Sequence, residues 1–187
     1  MRSLRPRLTG LQHVHFLPMN KILIIAHAPF AQALRACALH VFPDCAQQVQ
    51  ALDVPADEPC DKTFETACAL APAEEGGDLL VLTDVFGATP SNVAQRLLQH
   101  CAAKGVQVRE VTGVNLPMLL RAICYASLPL HDLEQCALTG GQQGMFAVDF
   151  STGAPVCTLL PAAAVSNESF CPVLSAMMQQ TITISPK

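Results

Sequence analysis

Two short runs of purely aliphatic residues, Ile22-Leu23-Ile24-Ile25 and Leu79-Leu80-Val81-Leu82, constrain the fold of this chain more than any other feature. Neither run alternates with polar residues, so neither fits a strand with one wet face. Each fits a strand covered on both faces, the arrangement found in parallel sheets flanked by helices. The first run leads into His27 and the second into Asp84. Amphipathic segments separate these runs and two further strand candidates, Val49 to Val54 and Val106 to Val111. The β-α order that results predicts an α/β fold, a doubly wound, mostly parallel β-sheet with helices on both faces.

Local signals place the helices between the strands. Pro29 suits the first turn of a helix whose apolar side is Phe30, Leu34, Cys37, Leu39 and Val41, and Pro43 stops it. A second helix is expected from about Asp61 to Leu70, followed by a loop from Glu74 to Gly77. Thr89-Pro90 reads as a helix start, with a side-chain cap from Thr89 and proline at the first helical position, and Gly105 as its end. Asn115 can cap the helix containing Met118, Leu119, Leu120 and Ile123, and a last helix should run from near His131 to Gly140-Gly141.

A chain of 187 residues has room for one domain and a short appendage. With 51% hydrophobic and 14% charged residues, it suits a compact core better than disorder, and a net charge of −4 provides no footprint for nucleic acid. The nine cysteines include no CxxC pair. Cys37, Cys68, Cys101, Cys124 and Cys136 fall in apolar helical patterns and are expected to be small core residues in a reducing cytoplasm. No close pair of cysteine or histidine has the spacing of a structural zinc site, so no metal is expected. No window reaches the roughly 18 to 20 apolar residues that span a bilayer. Residues 1–18 contain Arg2, Arg5 and Arg7 but no apolar stretch typical of a signal peptide. They are expected to be a disordered leader or a misassigned start, ahead of a domain at 19–148, with 149–187 a tail or linker.

The residues that could carry chemistry lie where the buried strands end. In open α/β sheets ligands bind beyond the carboxyl ends of the strands, which puts His27 and Asp84 on one rim. Read alone, His27 is equally a polar residue that terminates a strand. Asp84 is likewise open to a bland reading, as a turn or helix-capping carboxylate. Taken together they suggest more. A carboxylate that accepts from one imidazole nitrogen fixes the tautomer and leaves the other nitrogen free for nucleophilic attack. The following turn, Gly87-Ala88-Thr89-Pro90, offers backbone N–H groups and a hydroxyl at a helix N-terminus, where a phosphoryl group is well received. His40, His100 and His131 read as surface residues on or near helices.

Four blocks in this order carry a resemblance: Ile24-Ile25-Ala26-His27; Thr83-Asp84-Val85-Phe86-Gly87-Ala88-Thr89-Pro90-Ser91-Asn92; Gly113-Val114-Asn115-Leu116-Pro117-Met118-Leu119; and Thr139-Gly140-Gly141-Gln142-Gln143-Gly144. From Met19 to about Val148 the chain resembles the mannose-type enzyme IIA domains of the phosphoenolpyruvate-dependent sugar phosphotransferase system. That resemblance implies a cytoplasmic phosphotransferase component without a cofactor, in which His27 is phosphorylated and Asp84 is its hydrogen-bond partner. It implies phosphate contacts from Gly87, Ala88 and Thr89, with Asn115 and Pro117 beside the site. Family members often have glycine where Ala88 stands and serine where Thr89 stands.

The same resemblance implies phosphocarrier HPr as donor and an enzyme IIB domain as acceptor. It further implies a homodimer formed through exchange at a sheet edge, and at most peripheral membrane association through a permease complex. Two alternatives remain open at this level. One is a regulatory module that binds partners according to its phosphorylation state. The other is a small-ligand-binding α/β module in which His27 and Asp84 are unrelated. Residues 178–187, MQQTITISPK, resemble the opening strand of HPr, which would make the tail a truncated fusion or a frame running into a neighbouring gene; a chance β-like tail is the other reading.

Overall fold

A computed structural model describes residues 19–72, 77–148 and 155–156. The expectations for the leader at 1–18 and for the HPr-like segment at 178–187 lie outside the described residues. Four strands, β1 (Lys21–His27), β2 (Val49–Val54), β3 (Leu79–Thr83) and β4 (Val108–Thr112), form one sheet in the order β2-β1-β3-β4. Every pairing in it is parallel. The helices are α1 (Phe30–Val41), α2 (Cys60–Leu70), α3 (Thr89–Ala102), α4 (Leu116–Cys124) and α5 (Leu130–Gln143). The chain is thus an α/β protein of the expected class.

Both faces of the central strands are covered. Ile22, Ile24, Leu80 and Leu82 point into one apolar cluster with residues of α1, α4 and α5, while Leu23, Ile25 and Val81 point into another with α2 and α3. Each large aliphatic side chain buried here contributes roughly 1.5–3 kcal/mol. A one-residue slip of β1 would exchange its two faces, so packing on both sides fixes the register. Among the described residues no helix is long and apolar enough to cross a membrane.

Several boundaries and burials differ from expectation. β4 begins at Val108 instead of Val106, because the Val106 amide is still engaged with the Cys101 carbonyl at 3.1 Å in the turn that leaves α3. Pro29 occupies the N-cap position of α1, where no side chain caps the helix; instead Asp53 at the end of β2 accepts from the Gln32 amide at 3.1 Å. The buried stripe of α1 is Ala31, Leu34 and Ala38, which turns Cys37 out to solvent. Of the five cysteines expected in the core only Cys101 is fully buried; Cys68, Cys124 and Cys136 are half-buried, and Cys45 is buried in the short 3-10 turn after α1. Within the segment read as a tail, β6 (Pro155–Val156) pairs antiparallel with β5 (Ala147–Val148).

The largest difference concerns Gly140-Gly141, expected to stop the last helix. α5 continues through them to Gln143. Their role is close approach: a Cβ on Gly140 would lie 2.6 Å from the Cβ of Arg121, and one on Gly141 would lie 2.8 Å from the Met118 Cε. The paired glycines let α5 settle against α4. Alanine normally stabilises a helix interior by about 1 kcal/mol relative to glycine. Here Gly140→Ala should instead destabilise by about 1–3 kcal/mol through overpacking. A lowered urea midpoint checks this, and a raised one would show that α4 yields without cost.

Candidate functional site

The chain leaves β1 to build β2 on one side, then crosses to the other side to build β3. A crevice opens at the carboxyl ends where successive strands depart in opposite directions, and β1 and β3 flank it. Ile25 stands opposite Thr83 in the register, so His27 and Asp84 leave neighbouring strands at almost the same height. Their meeting follows from strand order.

The His27 Nδ1 lies 2.7 Å from Asp84 Oδ2. The same oxygen accepts from the His27 amide at 2.9 Å, and Oδ1 accepts from the Val85 amide at 2.8 Å. Desolvation pushes the Asp84 carboxyl upward, but the His27 amide, the His27 ring and the Val85 amide outweigh it, and the pKa is lowered overall. Near neutral pH Asp84 is therefore a carboxylate, which can only accept. The proton between the two groups belongs to Nδ1, which leaves the Nε2 lone pair free. The imidazole side chain is 49% exposed and the carboxylate 13% exposed, so the ring is reachable from solvent while its partner is shielded. A module in which these residues are unrelated required them to lie apart, and they do not.

The turn after Asp84 matches expectation only in part. The N-cap of α3 is Ala88, in extended conformation; Thr89 and Pro90 are the first two helical residues, and no side chain caps the helix. Thr89 sits inside the first turn, one residue too late for its hydroxyl to cap. Ala88 donates its amide to the Val85 carbonyl at 3.3 Å. Gly87 takes φ of +80°, a conformation that disfavours a side chain and turns the chain into α3. Among the described residues, no bond joins the Gly87 or Thr89 amide to a protein acceptor, and Thr89 is exposed, so these groups at the start of α3 can receive an anion.

Asn115 accepts from the Met118 amide at 2.9 Å, the expected cap of α4, and its Nδ2 donates to the Gly141 carbonyl at 3.4 Å. Pro117 packs where a Cβ on Gly144 would have to sit. Both residues thus join α4 to α5, and among the described residues neither bonds to His27 or Asp84. Two residues that the sequence offers only as the start of the third block, with no role assigned, hold the main chain at the site. Gly113, at φ of +80°, donates its amide to the Asp84 carbonyl at 3.1 Å, and Val114 donates to the Thr83 carbonyl at 2.9 Å. A glycine immediately after a strand was the available signal. Around the rim Phe30, Val85 and Phe86 are exposed, Phe86 at 72%. Among the described residues no three His, Cys, Asp or Glu side chains group as metal ligands.

Comparisons with known proteins agree with this fold. The family model described as PTS system fructose IIA component, of the mannose-type EIIA class, matches residues 21–136. The chain is similar to the solved structure of phosphotransferase system component EIIA from Streptococcus agalactiae, with 26% identity and a TM-score of 0.62, covering 72% of this chain and 99% of that one. The fold is shared with the mannose/sorbose specific IIA subunit from Enterococcus faecalis at 22% identity and TM-score 0.59, covering 70% and 96%. It is also shared with the PTS IIA protein associated with the fucose utilization operon from Streptococcus pneumoniae, at 22% identity and TM-score 0.56, covering 69% and 93%. No curated protein matches the sequence.

The lowered pKa of Asp84 has a consequence for stability. A carboxyl whose folded pKa lies below its unfolded value stabilises the fold above the unfolded pKa, about 4 for aspartate, and loses that contribution as pH falls through the folded value. Asp84→Asn should therefore have a lower urea midpoint than wild type near neutral pH, with the gap narrowing below about pH 4. A gap independent of pH would count against an ionised, hydrogen-bonded Asp84.

Proposed function

Since the chain belongs to the mannose-type EIIA family of phosphotransferase system components, we propose that it is a phosphoryl carrier that accepts on His27 Nε2 from phospho-HPr and delivers to an enzyme IIB domain in sugar uptake. The observation that carries this reading is the 2.7 Å contact between His27 Nδ1 and a carboxylate, which commits one ring nitrogen and frees the other. In the proposed step the Nε2 lone pair attacks the phosphorus of the donor's phosphohistidine. The new N–P bond forms as the donor's N–P bond breaks, and the bonding pair returns to the donor imidazole. The Nδ1 proton stays on His27, and Asp84 offsets the positive charge that grows on the ring. Gly87 and Thr89 offer N–H groups to the phosphoryl oxygens at the start of α3, where the helix dipole favours negative charge. Transfer of this kind relies chiefly on positioning and electrostatics.

The openness of the site supports a protein as donor. His27 stands half out of the surface, and Phe30, Val85 and Phe86 in the segments that follow β1 and β3 are exposed, a setting that a second protein can cover and that would leave a small ligand in water. We also propose a homodimer, supported by the free edge of β4, which among the described residues pairs only with β3. Light scattering at micromolar concentration should give twice the monomer mass, and a strictly monomeric chain would remove this part of the proposal.

Incubation with phosphoenolpyruvate, enzyme I and HPr should put acid-labile phosphate on the chain, and His27→Ala should take none. Asp84→Ala should fold and label at least about tenfold more slowly, the cost of losing the orienting partner. Equal labelling of His27→Ala, or no labelling of wild type, would end the carrier reading.

A further inference from the structure

Asp84 can orient His27 only while its own main chain is fixed, and the residue before it makes a side-chain bond that the chemistry above does not use. Thr83 closes β3 and is fully buried. Its hydroxyl donates to Glu110 Oε1 at 2.9 Å, while its carbonyl accepts from the Val114 amide at 2.9 Å. Glu110 stands opposite Val81 on β4, so the hydroxyl reaches diagonally across the strand pair. The other residues of β3, Leu79 to Leu82, are apolar. A valine at 83 would extend that run with no polar group to satisfy. Threonine instead ties the carboxyl end of β3 to β4 through a charge-assisted bond beside the backbone ladder.

We propose that Glu110 is a positioning residue for phosphoryl transfer: through Thr83 it holds the main chain at Asp84 so that the carboxylate meets the Nδ1–H of His27 and Nε2 stays free. Its catalytic consequence rests on the carrier reading above. Asp84 Oδ2 serves two donors at once, the His27 amide at 2.9 Å and Nδ1 at 2.7 Å, while Oδ1 serves the Val85 amide at 2.8 Å. A carboxylate shared among three donors tolerates little movement of its own Cα, and functional geometry of this kind is held to within about 0.5 Å. The ladder restrains Thr83 along β3; the bond to Glu110 restrains its side chain as well and fixes the direction in which the chain leaves the sheet.

The test reads the tautomer of His27 by nitrogen NMR at a pH where the ring is neutral, so it needs no phosphocarrier. Wild type, Thr83→Ser and Glu110→Gln keep a donor and an acceptor and should hold the ring mainly as the Nδ1–H form. Thr83→Val and Glu110→Leu break the bond and should shift the ring toward the Nε2–H form, with labelling slowed about tenfold. Thermal melts establish which variants are folded. Glu110 is only half-buried on an edge strand, so Glu110→Leu decides the matter if Thr83→Val does not fold. Wild-type tautomer ratios in a folded Glu110→Leu would overturn the proposal. A shifted tautomer in a system where wild type takes no label would leave the positioning role standing and remove the carrier reading instead.

Discussion

When two parallel strands are covered on both faces, their amides and carbonyls have no water to turn to and must pair with each other. The pairing of β1 with β3 is of this kind, and the rest of the molecule is arranged around it. Ile22, Ile24, Leu80 and Leu82 anchor α1, α4 and α5, while Leu23, Ile25 and Val81 anchor α2 and α3. The same pairing brings the exits of the two strands together. His27 and Asp84 meet at 2.7 Å because β1 and β3 are neighbours and the register puts Ile25 beside Thr83.

The site combines a rigid foundation with an open surface. Beneath it lie side chains with no exposure, and above it an imidazole stands half in solvent. The proposed carrier role calls for both properties, since a nucleophile must be oriented before a partner arrives and reachable when it does. Orientation comes from one carboxylate used three times, held at its own carbonyl by Gly113. Desolvation is the largest single influence on this carboxyl, but the bonds from the His27 amide, the His27 ring and the Val85 amide together outweigh it. That balance is why the Asp84 pKa falls in spite of burial.

Glycine illustrates how one residue type carries opposite messages. Gly87 and Gly113 take positive φ and turn the chain at the site, the role that glycine after a strand suggests. Gly140 and Gly141 looked like a helix terminator and are instead the surface on which α4 and α5 meet. Nothing local distinguishes the two uses, because the atoms that would clash belong to Arg121 and Met118 on another helix. The cysteines teach the same point: Cys37 lies one position away from the Ala31, Leu34, Ala38 stripe, an offset that apolar periodicity was too coarse to resolve.

By itself the sequence determined the class of fold, the parallel strands and the arrival of His27 and Asp84 at strand ends, because unbroken aliphatic runs have few ways to be buried and their ends fall where the polar residues begin. It determined the cap on α4, because Asn115 bonds within three residues of itself. Only the tertiary structure decided the 2.7 Å distance between His27 and Asp84, since strand order is set by how helices cover the whole sheet. It also decided that Thr89 lies inside α3 instead of capping it, that Gly113 holds the Asp84 carbonyl, and that Thr83 reaches Glu110 across the sheet. The first set depends on neighbours along the chain. Most of the second joins residues far apart in sequence, and one residue of register separates the two outcomes at Thr89.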